Sequence, residues 1–292
     1  IWFSGVIMSR IKIIDIHIHI QPWWQLKPEI RTRMAHGKEN YDQLLDIMKN
    51  PAKLIALMDK ADIEKVGLIN YVSPDLMGFD DSSNDFSSAY QKYAPDRFIA
   101  YGSVHPRFTK DAEADIHRLI HDLGIRAIKV HPPHQLYYPN DYLNGMKNLE
   151  IIYRRCEEWG IPVMIHTGTS FFAGARIKYG DPIHVDDVAV DFPNLKIIMA
   201  HGGRPLWMET AFYLVRRHKN VSIDISSIPP KKILTDYFPR LEEIADKVYF
   251  GTDWPGPQVD DMRKNADEFL SLPLDETAKL KIVRENALKL FG

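Results

Sequence analysis

Two histidines one residue apart sit in a strictly alternating run, Ile14-Asp15-Ile16-His17-Ile18-His19-Ile20. Alternation at period two is the pattern of a β-strand, so Asp15, His17 and His19 share one face and the isoleucines share the other. Two imidazoles on one face of a rigid strand can converge on a single divalent ion. The pair acquires weight from what ends other apolar runs: Lys129-Val130-His131-Pro132, Met164-Ile165-His166-Thr167-Gly168, Met199-Ala200-His201-Gly202-Gly203 and Gly251-Thr252-Asp253-Trp254-Pro255. Neutral imidazoles and a carboxylate suit Zn²⁺ and its neighbours, and catalytic sites leave a position open for water. The expected centre is one divalent ion, Zn²⁺ first and Mn²⁺ or another transition ion as the alternative. Its ligands are His17, His19, His166 and Asp253. Such an ion lowers the pKa of a bound water towards neutrality. His201 is then the general base, Asp253 serves a second time by accepting a hydrogen bond from the water, and Asp15 holds a ligand from behind.

These residues need a scaffold that gathers strand ends. Strand patterns fall at 11–19, 65–70, 98–104, 127–131, 162–166, 196–201, 221–225 and 248–251, with helical patterns at 52–61, 84–93, 111–123, 149–159, 183–191, 205–216, 241–245, 260–270 and 275–291. Most strand starts recur about every 25–35 residues, the length of a βα unit. Eight units in 292 residues predict a TIM-type (β/α)₈ barrel, an α/β fold, as a single domain over 11–292. Its chemistry belongs at the C-terminal ends of the strands. The exception in spacing is 21–50, read as a long loop that either covers the barrel mouth or packs on its rim.

A hydrophobic fraction of 45% and a charged fraction of 26% are ordinary for a globular protein. A net charge of −2 carries no signature of nucleic acid or of an anionic membrane surface. The single cysteine, Cys156, excludes an intrachain disulfide framework, fits a reducing compartment, and is expected to be a buried structural thiol on the 149–159 helix. No apolar run approaches the roughly 20 residues of a membrane span, and a cytoplasmic enzyme is expected. Residues 1–10 are read as an N-terminal extension, with Met8 as the natural start.

Around the mouth the sequence offers His131, His134, Arg176, Lys178 and Arg204, cations suited to a small carboxylate-bearing substrate. Arg204, beside His201-Gly202-Gly203, is the foremost of these. Trp23, Trp24, Phe171, Phe172 and Trp254 are candidates for an apolar wall.

His17-Ile18-His19, His166-Thr167-Gly168, His201-Gly202-Gly203 and Gly251-Thr252-Asp253 stand in the order of the amidohydrolase superfamily. More narrowly, with Ile128-Lys129-Val130-His131-Pro132 and the closing residues 286–292, the chain resembles the amidohydrolase-related group that includes aminocarboxymuconate-semialdehyde decarboxylase. The resemblance runs from about Ile13 to the end. It implies a distorted barrel, a mononuclear metal, often a homodimer, the four ligands already chosen, and a catalytic histidine at His201. Many binuclear relatives carry a carboxylated lysine at the end of strand four. Here a substrate-binding or structural Lys129 is expected, because the decarboxylase-like group manages with one ion. The superfamily supports hydrolysis, decarboxylation and hydration. Hydrolysis of a small amide, lactone or ester is the leading expectation, with non-oxidative decarboxylation of an aromatic or muconate-like acid close behind. A barrel kept only for binding would have eroded ligands, and this set is complete.

Overall fold

The computed structural model describes residues 11–256, 259 and 261–292; the extension and the start at Met8 lie outside the described residues. Eight parallel strands follow one another in chain order: β1 (Ile13–Ile18), β2 (Ile63–Leu68), β3 (Phe98–Gly102), β4 (Ala127–Val130), β5 (Val163–His166), β6 (Ile197–Ala200), β7 (Val221–Asp224) and β8 (Val248–Tyr249). The expected single-domain (β/α)₈ barrel is what forms. All six residues of β1 are buried, and β3 to β6 are buried along their whole length. That is the consequence of a parallel sheet with helices outside and packed side chains within.

The barrel closes at the site. Ile16 N–H donates to the Phe250 carbonyl at 3.0 Å, Asp253 N–H to the His17 carbonyl at 2.8 Å, and His19 N–H to the Trp254 carbonyl at 2.7 Å. The residues that stitch the last strand to the first are thus the candidate ligands themselves. A Cβ on Gly251 would stand 2.8 Å from the His17 Cβ and 3.0 Å from the Ser226 Cβ, so only glycine lets these three walls approach.

The segment 21–50 is not a loop. It holds a short 3₁₀ turn and two helices, α1 (Pro28–Ala35) and α2 (Tyr41–Lys49), before α3 (Pro51–Lys60). Pro28 fits the first turn of α1, where its missing N–H is no loss. In α2, Leu44 and Met48 lie four apart and are buried, a helical period that the many charges around them obscured. In α3, the Asn50 side chain accepts from Ala52 N–H at 3.1 Å and Leu54 and Met58 form the buried stripe.

The 111–123 helix forms as Ala112–His117 running into a π-helical turn, Arg118–Asp122, and the closing helix carries a similar turn at Lys281–Glu285. The 205–216 pattern becomes a helix at Met208–Arg217. Cys156 is fully buried on Lys147–Glu158, and burial pushes its thiol pKa up, as befits a structural residue. No helix among the described residues is long and apolar enough to cross a membrane.

Candidate metal centre

His17 ends the inward face of β1 and is fully buried; His19 lies just beyond the strand, with its side chain about a fifth exposed. Asp253 follows β8. Its Oδ1 is 2.8 Å from His19 Nε2 and 3.4 Å from His17 Nε2, and ligand atoms of all three lie within 4.8 Å of one another. Two atoms each about 2.1 Å from one ion stand about 3 Å apart at tetrahedral or octahedral angles. His17 Nε2 is buried with no hydrogen-bond partner, an arrangement that costs free energy unless something accepts its lone pair. Burial depresses the pKa of His17 in spite of Asp224, keeping the ring neutral. Burial alone would raise the Asp253 carboxyl, but His19, His17 and Arg204 hold it at about 2. A neutral nitrogen with a free lone pair beside an ionised carboxylate fits a divalent cation.

His166 stands next to this trio and not within it. Its ring centre is 4.7 Å from that of His201, and its Nε2 faces the Thr169 carbonyl at 3.3 Å. It also stacks on His131, centre to centre 3.9 Å, and His131 stacks on His134 at 3.7 Å. His134 is held at both nitrogens, by the Tyr71 hydroxyl at 2.8 Å and the Ser170 hydroxyl at 2.7 Å. Burial pushes its pKa down to about 3. The stack is therefore a rigid neutral wall that supports His166.

Behind His17 stands Asp224, the last residue of β7. It accepts from His17 Nδ1 at 2.8 Å, which commits that proton to Nδ1 and leaves Nε2 to a metal. Burial raises a carboxyl, but His17 and Ser226 outweigh it here, so Asp224 lies below its ordinary range. The role expected of Asp15 thus belongs to Asp224. Asp15 instead accepts the backbone N–H groups of His17 and Thr252, each at 3.1 Å, and the Thr252 hydroxyl at 2.6 Å. With so few compensating charges, burial lifts Asp15 to about 7. It buttresses the β1–β8 seam. His17, His201 and Asp224 also lie close enough for three ligand atoms to share an ion. Their facing atoms, however, are already joined to one another and to the Ser226 hydroxyl, so the free nitrogen on the other side marks the metal position.

Two site residues have left-handed backbone, His201 at φ 63° and Asp253 at φ 71°. For a non-glycine residue this costs on the order of 1–3 kcal/mol and persists where surrounding structure imposes it. His201 faces a cavity of about 90 Å³ that it shares with His19, Asp253, Arg204 and His166. That is well below the roughly 300–1,000 Å³ of pockets for drug-sized ligands, a size that suits a compact molecule.

Trp23, Met34, Met77, Phe171 and Phe172 make the apolar part of its wall, so the segment 21–50 roofs the site. Trp254 faces a wider outer hollow with Arg33 and Lys38, while Trp24 packs edge-on against Phe86 on the surface. His131 lines the cavity, as expected. Arg176 does not: it is exposed, and its backbone N–H donates to the Pro133 carbonyl at 3.1 Å. Lys178 lies over the rings of Tyr138 and Tyr179. Lys129 is sealed beneath the site with its Nζ unpartnered, because its place on β4 points it into the barrel axis below the mouth. Burial lowers its pKa to about 8 against the pull of Asp224 and Asp253. It does not line the cavity.

Residues 14–292 match the amidohydrolase family, and the chain belongs to it. It is an enzyme, a metal-dependent hydrolase or carboxy-lyase. Among curated proteins it is similar to the gamma-resorcylate decarboxylase of Rhizobium sp. (strain MTP-10005), 24% identical over 88% of this chain and 90% of the relative. Among solved structures it is similar to a TIM-barrel protein of Bordetella bronchiseptica, with TM-score 0.74 and 26% identity over 96% of this chain and 98% of the other. It also shares its fold with the 5-carboxyvanillate decarboxylase of Novosphingobium aromaticivorans, complexed with manganese and 4-hydroxy-3-methoxy-5-nitrobenzoic acid. The TM-score there is 0.67 at 20% identity, covering 97% of this chain and 95% of that one. These relatives correct the preference for hydrolysis: the curated protein and the manganese-bound one are decarboxylases, and the carboxy-lyase alternative is the better supported.

Proposed function

We propose that this protein is a non-oxidative decarboxylase of small hydroxylated aromatic acids, holding one divalent ion on His17, His19, His166 and Asp253. The observation that carries the reading is a compact cavity in which His19, an ionised Asp253, Arg204 and His201 meet, with the unpartnered His17 nitrogen 3.4 Å behind Asp253 Oδ1, in a chain whose curated relative over most of its length is a decarboxylase. Zn²⁺ and Mn²⁺ both suit three imidazoles and a carboxylate. Bound there, the ion supplies positive charge to the substrate's carboxylate and neighbouring oxygen.

The protein's own groups do the rest. Arg204 has a buried Nε without a partner while its Nη2 donates to the Ser227 hydroxyl at 2.5 Å, so it holds a carboxylate with its remaining N–H groups. The aromatic and thioether wall holds the ring and excludes water. His201 is kept neutral, since burial together with His166 and His17 depresses its pKa well below the usual imidazole value. The proton it delivers is therefore one it first takes, from a ring hydroxyl of the substrate, onto Nε2. It gives that proton to the ring carbon bearing the carboxylate. The bond to the carboxylate carbon then breaks, its electron pair restores the aromatic ring, and carbon dioxide leaves. The oxygen regains a proton from solvent, and the sum is carboxylate plus one proton giving arene plus carbon dioxide. An ortho hydroxyl is required on this account, because it makes that carbon basic enough to accept a proton.

The test is to supply the metal-loaded protein with 2,6-dihydroxybenzoate and 5-carboxyvanillate, and separately with phenyl esters and lactones. Carbon dioxide from the acids with no ester or lactone cleavage is expected. Water-dependent cleavage without carbon dioxide would restore the hydrolase. Arg204→Ala should raise KM for the acid roughly 10–100-fold, the loss of a charge-assisted contact worth about 1.5–3 kcal/mol, and leave binding of the decarboxylated phenol unchanged. Equal weakening of both would remove the carboxylate contact from the account.

A further inference from the structure

We propose that Ser226 is a positioning residue whose hydroxyl fixes the tautomer of His201 and ties it, through Asp224, to His17. Ser226 lies two residues past the end of β7, is fully buried, and is not itself one of the residues that line the cavity. Its Oγ is nevertheless 2.8 Å from His201 Nδ1 and 3.1 Å from His17 Nδ1, and it is hydrogen-bonded to Asp224 Oδ1. One hydroxyl thus touches the proposed proton carrier, a proposed metal ligand and the carboxylate behind that ligand.

Counting protons fixes the direction of every bond. Backbone N–H groups only donate, so Asp224 Oδ1, which receives that of His201 at 3.1 Å and that of Ser226 at 3.0 Å, acts as an acceptor and takes the Ser226 hydroxyl proton as well, while Oδ2 faces the His17 Nδ1–H. The hydroxyl has one proton and has spent it, so it can only accept from His201. His201 Nδ1 must then carry a hydrogen, shared with the Ser226 carbonyl at 3.1 Å. Nε2 is left as the one position at which His201 can take and give a proton. If His201 carried its proton on Nε2, its Nδ1 lone pair would face two oxygens with no hydrogen between.

The same residue also explains why Asp224 can serve both histidines. Two backbone N–H groups and a hydroxyl fix the carboxylate plane, so His17 Nδ1 meets a stationary acceptor. Partners at this remove from a metal or a reacting group typically change affinity or rate by about 10–100-fold. In Ser226→Ala, His201 keeps only its longer contact to the carbonyl, and Asp224 loses one of its three donors on Oδ1. The part played in catalysis rests on the decarboxylase reading; the tautomer does not.

The test is ¹⁵N NMR of histidine-labelled protein loaded with Zn²⁺, a diamagnetic ion, needing no substrate. In the wild type, His201 is expected to show a protonated Nδ1 and an unprotonated Nε2. In Ser226→Ala both nitrogens should move to intermediate values of exchanging tautomers. With an accepted substrate, kcat should fall about 10–100-fold at unchanged KM, while thermal unfolding stays close to wild type. A wild-type His201 protonated on Nε2 overturns the proposal even if the variant fails to fold, and so does an unchanged His201 spectrum in a folded Ser226→Ala. A protein that decarboxylates nothing yet shows the expected spectra would sink the proposed reaction and leave this assignment standing.

Discussion

His17→Ala should emerge from purification with almost no bound divalent metal and no measurable turnover. This is the largest effect expected of any single side chain here. The substitution deletes the nitrogen whose lone pair has no other partner and leaves Asp224 without the N–H it accepts at 2.8 Å. His19 and Asp253 would remain as a pair 2.8 Å apart, free to bond to each other. The fold should survive, because the β1 backbone is held by its neighbours and the main-chain bonds that close the barrel do not involve the imidazole. Elemental analysis, circular dichroism and turnover check the three parts together. A variant that retains one equivalent of metal would show that His17 is not a ligand.

The second large effect belongs to His201→Asn. Asparagine tolerates left-handed backbone better than most residues, so the φ of 63° at this position should not unfold the variant. It has no titratable nitrogen, so proton transfer to carbon should slow by roughly 10²–10⁴, the usual scale of a positioned acid or base. Metal content should stay near one equivalent, since the ring of His201 is joined to Ser226 and not to the proposed ion. Full loss of metal in this variant, with the protein still folded, would make His201 a ligand instead of the proton carrier.

The histidines at strand ends were legible because each announces itself locally. His17 and His19 sit on an alternating run, and His166 and His201 each end an apolar run. The barrel followed from the spacing of those runs. Asp224 was not found, since β7 ends at Asp224 and runs on into Ile225-Ser226-Ser227 with no histidine to draw attention. The usable signal was positional: it is the last residue of a strand, like His166 and unlike Asp15, which lies three residues before the end of its own strand. Direction was the other illegible quantity. Lys129 and His131 share a strand face, yet two residues of rise separate a lysine sealed in the barrel from a histidine at the cavity wall. Arg176 follows β5 by ten residues, and nothing in its neighbours says that it turns outward. The helices in 21–50 were hidden because their charges outnumber the few residues, such as Leu44 and Met48, that mark the buried side.

The most direct measurement titrates the metal-free protein with Zn²⁺, and separately with Mn²⁺, while carbon dioxide release from 2,6-dihydroxybenzoate is followed. Release that climbs in proportion to added ion and levels off at one per chain is the expected result. Release indifferent to chelation, or a plateau reached only at two ions per chain, would contradict a single ion held by His17, His19, His166 and Asp253.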